Sequence, residues 1–265
     1  MGGSGMGEAV VRLAVDARGV AEVTLNRPAR GNAYDGELLG ALAARLEALG
    51  RRADVRAVVI RGAGKHFQAG ADLDWLARMA DAPPGEAYAA SMATTRTMAT
   101  LNEFPIPTIA VVQGACFGGG CGLVCSVDVA LATPAAIFGL TEVRVGVAPT
   151  PIAAQMVQAM GLRQARRYAL TGERFDAAEA LRIGLVHEVV AAERLEARLG
   201  EILDAILLSA PGAIRATKRL ILAANRFLLD EATMAQLAAE SRRQRASAEG
   251  HEGLAAFREK RRPVW

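Results

Sequence analysis

The sequence predicts an α/β protein, and three observations carry the prediction. Strand-length apolar runs alternate with stretches of helical periodicity through the first half of the chain. From about Ile152 onward the helical periodicity barely stops. Hydrophobic residues make up 52% of the 265 positions against 22% charged, enough apolar material for a large core. Residues 10–15 and 21–25 alternate around Asp16-Ala17-Arg18-Gly19, which reads as a hairpin. Leu38, Leu39, Leu42, Leu46 and Leu49 recur at helical spacing behind Asp35, a side chain suited to accept from the unpaired N–H groups of a first helical turn. Ala57-Val58-Val59-Ile60 is a short buried strand, a helix is expected over about 86–102, and Pro105 and Pro107 interrupt it. Strands are then expected at 108–112 and 127–132, with a helix starting at Gly118 between them. In the second half Gly161, Gly172, Gly184, Pro211 and Gly250 break the helical stretch, and 186–190 is a short strand candidate. Neither a fixed-period repeat nor a flexible linker is visible. Residues 7–205 are therefore expected as a core and 206–265 as a C-terminal helical region of the same cooperative unit, after a Gly-rich stretch at 1–6 that reads as a cloning scar.

Composition narrows the function. No run approaches the roughly 18 uninterrupted apolar residues of a membrane span, so a soluble protein without a membrane partner is expected, and no targeting signal argues against a cytoplasmic location. The 31 basic and 28 acidic residues nearly cancel, leaving +3. Only the last third is locally basic, at Arg242, Arg243, Arg245 and at Lys260, Arg261, Arg262; these clusters read as solvated helix faces or as a meeting point for a phosphate-bearing ligand. No aromatic residue interleaves with them, so stacking on single-stranded nucleic acid has little support and no nucleic-acid partner is expected. Cys116, Cys121 and Cys125 lie in a Gly-rich apolar run without a His, Asp or Glu beside them, which suits small core residues rather than metal ligands.

Three segments could carry chemistry. His66-Phe67-Gln68-Ala69-Gly70-Ala71-Asp72-Leu73 follows a buried strand and leads into a helix, so it is either a tight turn capped by Asp72 or a place where a ligand reaches free backbone donors. Gly114-Ala115-Cys116-Phe117-Gly118-Gly119-Gly120-Cys121-Gly122 also lies between a strand and an apolar helix; its glycines either expose amides to an oxyanion or phosphate, or allow close helix packing. In Phe138-Gly139-Leu140-Thr141-Glu142-Val143-Arg144-Val145-Gly146 a single carboxylate sits in an apolar run. Burial there would raise its pKa towards a range useful for proton transfer, unless it pairs with Arg144 or faces solvent.

Competing motifs fail at required positions. A dinucleotide fingerprint needs a glycine where Cys116 stands, and a phosphate loop needs Ser or Thr where His66 follows Gly64-Lys65 and Gly where Val59 stands. His66, His187 and His251 have no nucleophile at motif spacing, and no Gly-x-Ser-x-Gly elbow exists.

Taken together, the three segments resemble the enoyl-CoA hydratase/isomerase (crotonase) family, and the resemblance extends over nearly the whole chain. It begins at Leu25-Asn26-Arg27-Pro28 and Asn32-Ala33, passes through Ala69-Gly70-Ala71-Asp72-Leu73 and the triple-glycine segment, and continues in Thr171-Gly172-Glu173-Arg174 and residues 177–186. It ends in Glu252-Gly253-Leu254-Ala255-Ala256-Phe257-Arg258-Glu259-Lys260-Arg261. The resemblance implies a ClpP/crotonase-like spiral of ββα units whose C-terminal helices complete trimers, commonly paired as hexamers. It implies a coenzyme A thioester as substrate, with no prosthetic group. The oxyanion-hole donors would be the N–H groups of Ala71 and Gly119, and the catalytic carboxylate Glu142. The adenine would meet the backbone around Ala69, Ala71, Asp72 and Leu73, and Lys260 the CoA phosphates, with Arg27 a further candidate for them. Two donors aimed at the thioester oxygen suit the chemistry, because moving a proton beside that carbonyl places negative charge on it.

One position departs from the pattern. The family's hydratases flank the substrate with two glutamates; Glu142 matches the later one, but Gly122 occupies the earlier position. A single glutamate suffices to shuttle a proton between carbons, which suits a Δ3,Δ2-enoyl-CoA isomerase. The finer resemblance, in Gly70-Ala71-Asp72-Leu73-Asp74-Trp75, in residues 117–124 and in 141–149, is to the bacterial branch of methylglutaconyl-CoA and isohexenylglutaconyl-CoA hydratases, whose members also carry Gly after the triple glycine. Hydration of a branched or glutaconyl-type 2-enoyl-CoA is therefore the expected activity, with Gly122, Trp75 and Arg144 in the substrate pocket. Arg144 would either receive a second substrate carboxylate or form a structural ion pair. A non-catalytic or RNA-binding scaffold is a further alternative, which only the basic tail favours.

Overall fold

The expected hairpin forms in the computed structural model, which describes residues 8–224 together with 248, 249, 252, 256 and 259–264. The stretch at 1–6, the Arg242, Arg243, Arg245 cluster, the break at Gly250, and His251 lie outside the described residues. Strands β1 (Val11–Val15) and β2 (Val20–Leu25) pair antiparallel. The turn between them is closed by the Asp16 carboxylate, which accepts from Arg18 N at 2.8 Å and Val20 N at 2.9 Å. Helix α1 (Gly36–Gly50) starts as expected on Asp35, whose side chain accepts from Leu38 N at 3.0 Å, and it buries the five leucines that its spacing places on one face.

From β2 onward the main sheet is parallel. Strands β3 (Ala57–Gly62) and β4 (Thr108–Val112) follow it, α2 (Leu73–Asp81) and α3 (Pro84–Asn102) lying between them in sequence. The chain then passes through β5 (Ala115–Phe117), α4 (Gly119–Ser126), β6 (Val129–Ala132) and β7 (Ile137–Gly139). Helix α5 (Ala153–Thr171), β8 (Arg174–Asp176), α6 (Ala177–Arg182), β9 (Glu188–Val189), α7 (Leu195–Leu207) and α8 (Pro211–Ala224) complete the described strands and α-helices. The six-stranded sheet runs β1-β2-β3-β4-β6-β9, and a small second sheet runs β5-β7-β8.

One face of the large sheet, with β2 Val23 and β3 Val58 and Ile60, packs on α1, α3 and α4 through Leu42, Leu46, Met98, Leu101 and Val124. The other face, with Val59, Ile109, Val111 and Leu131, is covered by Leu195, Leu199 and Leu203 of α7. Both faces being covered explains why β3 and β4 read as continuous apolar runs rather than alternating ones. Helix α8 is tied to the sheet by Lys218, whose ammonium reaches Asp128 at 2.7 Å while the same carboxylate accepts from Thr108 N at 2.8 Å.

Three expectations need correction. The small sheet was not expected, because each of its strands has three residues and shows no period. Helix α4 begins at Gly119, one residue later than expected, since Gly118 adopts φ 50, ψ −115, outside the helical region and open only to glycine. Strand β6 begins at Val129 rather than 127, with Asp128 turned to Thr108 and Lys218. Gly161 does interrupt its helix, as a kink with φ 74, but α5 continues beyond it.

A buried asparagine joins the first loop to the second. Asn32, in the left-handed region at φ 58, is fully buried. Its Nδ2 donates to Ala63 O at 2.9 Å and His66 O at 2.7 Å, and its Oδ1 accepts from Arg27 N at 2.8 Å. Asn32→Ala would leave these partners buried and unpaired at roughly 1–3 kcal/mol each. The expected outcome is a loss of about 2–4 kcal/mol in urea-denaturation free energy, with the slope against urea unchanged.

Candidate active site

Two loops meet at the C-terminal end of the parallel strands. The first follows β3. Its residue Ala71 bridges Tyr34 in parallel fashion: Tyr34 N donates to Gly70 O at 2.9 Å and Asp72 N to Tyr34 O at 2.7 Å. With the neighbouring carbonyl and amide both aimed at Tyr34, the N–H of Ala71 points to the opposite side, and it donates to no described residue. The second loop is anchored to the first by Gln68 N to Ala115 O at 3.1 Å and Phe117 N to Gln68 O at 2.9 Å. Gly118 N donates to Gly139 O, and the next amide, Gly119 N, opens α4 with no partner among the described residues. Gly70 and Gly118 touch: a Cβ on Gly118 would stand 3.7 Å from Gly70 Cα.

Glu142 completes the group. It opens a short 3-10 turn after β7, and a Cβ on Gly118 would lie 3.3 Å from its Oε1. Its Oε2 is shielded from solvent and has no hydrogen-bond partner among the described residues. Burial raises the Glu142 pKa above its ordinary value, against a smaller opposing hydrogen bond from its own backbone. No ion pair joins Glu142 to Arg144 among the described residues.

Ala71, Gly119 and Glu142 share one cavity of about 470 Å³, a size suited to a small-molecule substrate. Ala69, Leu73 and Trp75 line it too, so most of the expected site residues are brought together. Asp72 is not in the wall; its carboxylate accepts from Trp75 N at 3.1 Å and caps α2.

Four expected residues lie outside the cavity wall of this chain. Gly122 is buried behind the wall rather than in it: a Cβ there would stand 2.3 Å from Ile152 Cγ2, so Ile152 fills the space into which a longer side chain at 122 would grow. Arg144 does not line the cavity; its side chain is exposed and packs along Gly172, with Nε 3.0 Å from where a Cβ would be. The Arg27 guanidinium reaches Asp35 at 2.8 Å, Ala33 O at 2.8 Å and Asp72 at 3.5 Å, bracing the caps of α1 and α2 instead of standing free for phosphates. Lys260 is exposed, with φ 53, and is not among the cavity-lining residues. His66 and His187 each accept a backbone hydrogen bond through Nδ1, from Ala115 N and Ala130 N, both at 3.0 Å. The three cysteines are buried and free; Cys121 Sγ donates to Cys116 O at 3.1 Å.

The sequence reading missed Tyr34 and Ile152. Tyr34 directly follows the Asn32-Ala33 motif, a signal that was on view; Ile152 lies 30 residues from Gly122 in sequence and carries no motif.

A parallel sheet whose loops bring two unpaired amides and a desolvated carboxylate into one cavity is an arrangement able to hold charge on a carbonyl oxygen while a proton moves beside it. The chain belongs to the enoyl-CoA hydratase/isomerase family, whose pattern matches residues 16–265. It is 34% identical to a putative enoyl-CoA hydratase of Thermus thermophilus over 245 residues, 92% of this chain and 96% of that one. Among solved structures, an enoyl-CoA hydratase from Shewanella pealeana superposes with TM-score 0.92 at 37% identity, covering 97% of this chain and 96% of that one. Pseudomonas aeruginosa AtuE superposes with TM-score 0.92 at 41% identity, covering 97% and 99%. The fold is thus the crotonase fold, and the substrate of the family is a coenzyme A thioester.

The buried carboxyl has a pH signature. A carboxyl whose pKa is raised on folding holds its proton more tightly in the folded state. Stability therefore falls as pH climbs from the ordinary value of 4.5 through the raised one. Glu142→Gln removes this dependence. Its denaturation free energy is expected to rise relative to the parent protein between about pH 4 and about pH 8; a difference independent of pH would show that Glu142 is not desolvated.

Proposed function

We propose that the protein catalyses reversible syn hydration of a branched 2-enoyl-CoA, with Glu142 as its only catalytic carboxylate and the amides of Ala71 and Gly119 holding the thioester oxygen. The observation that carries this reading is the one desolvated carboxylate in the same cavity as two unpaired amides. Water adds its oxygen to Cβ, the π pair moves to leave an enolate on the thioester oxygen, and Glu142 in its acid form gives a proton to Cα. The proton lost by the water returns to Glu142, so one water is added and the carboxyl is regenerated. Two fixed donors suit the enolate, each such donor being worth about 3 kcal/mol in the transition state. Raised pKa suits the carboxyl, because it must be able to give as well as take a proton.

The wall favours an apolar acyl chain. Leu76, Met79, Met98, Val145 and Ile152 line it with the hydroxyls of Ser91 and Thr94, and no Lys or Arg of the described residues does. A glutaconyl-type chain would bring its second carboxylate to a surface without a counter-charge, so within the expected substrates the branched chain is preferred. In the same reading Leu73, exposed at the mouth, and the backbone from Ala69 meet the adenine. Lys260 meets the phosphates, contributed by a neighbouring subunit of a trimer.

A second reading, Δ3,Δ2-isomerisation, is favoured by Ile152 occupying the space beside Gly122. Mass measurement separates the two: hydration of a branched 2-enoyl-CoA adds one water, whereas isomerisation of a 3-enoyl-CoA leaves the mass unchanged. Glu142→Gln is expected to lower turnover by about 100-fold or more while acyl-CoA still binds; full activity would remove Glu142 from the mechanism.

The Gly122 position can be tested directly. Gly122→Glu alone drives a side chain into Ile152 and is expected to cost about 1–3 kcal/mol of stability. Gly122→Glu with Ile152→Ala opens the space, and crotonyl-CoA hydration should rise above that of the parent. No rise in the folded double variant would show that the missing carboxylate does not limit hydration.

A further inference from the structure

The reaction chamber contains a second polar group that the mechanism above leaves unused. Tyr34 is joined to both halves of the oxyanion hole. Its backbone bonds on either side of Ala71, and its ring lies directly on Gly119, where a Cβ would come within 2.3 Å of Cε1. The ring is fixed on its other side by Trp75, edge-on at a centroid distance of 5.8 Å. Gly118 and Gly119 are adjacent, so their Cα atoms are about 3.8 Å apart. The Glu142 carboxylate sits over the first and the Tyr34 ring over the second. Both side chains line the same cavity.

Neither has a partner among the described residues. Glu142 Oε2 accepts no hydrogen bond, and the Tyr34 hydroxyl neither donates to nor accepts from a described residue. Two unpaired polar groups lining one cavity are the setting in which a water is held, since a bound water needs at least two polar partners. Burial, and then the charge of Glu142, push the Tyr34 pKa up to about 12, so the group stays a neutral phenol at working pH.

We propose that Tyr34 is a catalytic residue of the hydration step, its hydroxyl oxygen accepting a hydrogen bond from the attacking water and so replacing the positioning carboxylate that Gly122 lacks. The inference rests on the hydration reading. The water gives one hydrogen to Tyr34 Oη as a hydrogen bond and the other to Glu142 as a proton, and its lone pair is left aimed at Cβ. Tyr34 itself neither gains nor loses a proton.

The test is Tyr34→Phe, which keeps the ring on Gly119 and removes only the hydroxyl, measured in two reactions. Hydration of a branched 2-enoyl-CoA is expected to lose roughly 10- to 100-fold in kcat with little change in KM. Exchange of the Cα proton of a saturated acyl-CoA in heavy water needs Glu142 and the oxyanion hole but no attacking water, and it should stay within about threefold of the parent. That retained exchange also shows the variant to be folded. Hydration unchanged in Tyr34→Phe overturns the proposal and leaves the hydration reading standing. An equal fall in hydration and exchange overturns it too, because Tyr34 would then act on the hole alone. A parent protein that isomerises but adds water to no enoyl-CoA overturns the hydration reading and this proposal together.

Discussion

Two peptide N–H groups must be left unpaired at one point of a folded chain, where each would ordinarily cost roughly 1–3 kcal/mol, and the surrounding structure is arranged to hold them there. Neither amide can be satisfied by its own loop. Ala71 is barred because its neighbours on both sides are already bonded to Tyr34, which turns its N–H outward. Gly119 is barred because it is the first residue of a helix preceded by Gly118 at φ 50, a conformation that aims the amide away from the preceding strand. What prevents collapse is a double brace behind the first loop. Asn32 holds the carbonyls of Ala63 and His66, and Arg27 joins the two aspartates that cap α1 and α2. These polar contacts are wholly or partly buried and mutually satisfied, so they fix one geometry rather than several.

The second constraint is shape. Each glycine of the helix start stands against a bulky side chain from a distant part of the chain: Gly118 against Glu142, Gly119 against Tyr34, Gly122 against Ile152. Any side chain at these positions would displace its partner, so the glycines are required by approach as much as by dihedral angle. The chamber is therefore made by pairs, one member small and the other functional. At Gly122 the pairing is with an apolar side chain: Ile152 occupies the space that a carboxylate at 122 would need.

Much of this was legible in the sequence, for identifiable reasons. β3 and β4 are buried on both faces and so read as continuous apolar runs, and the α1 leucines fall on a single face. Asp35 and Asp72 announced their helix starts because capping is a local interaction of a side chain with amides three residues on. Glu142 stood out as the one carboxylate in an apolar run. What was hidden is whatever depends on contact between distant segments. The strands of the small sheet are too short to show a period. Arg27 and Arg144 are cations whose partners the sequence does not name, and the structure gives the first to two aspartates and lays the second on Gly172. Ile152 is an ordinary apolar residue until the fold sets it against Gly122.

On the proposed reading one carboxylate does the work of two, and the location of Glu142 bears on how. In a pair, each group raises the other's pKa by repulsion and the proton is shared between them. With the partner gone, the shift in Glu142 comes from burial. Ile152 and the Tyr34 ring contribute to the same wall. The apolar residue beside Gly122 shares the wall with Glu142, whose carboxyl burial pushes above its ordinary pKa. It also leaves water without an anionic host, so a site built this way must orient water with neutral donors and acceptors. An aromatic hydroxyl on a rigid, doubly packed ring meets that need at little cost in side-chain entropy, because its ring has already been ordered by packing against Gly119 and Trp75.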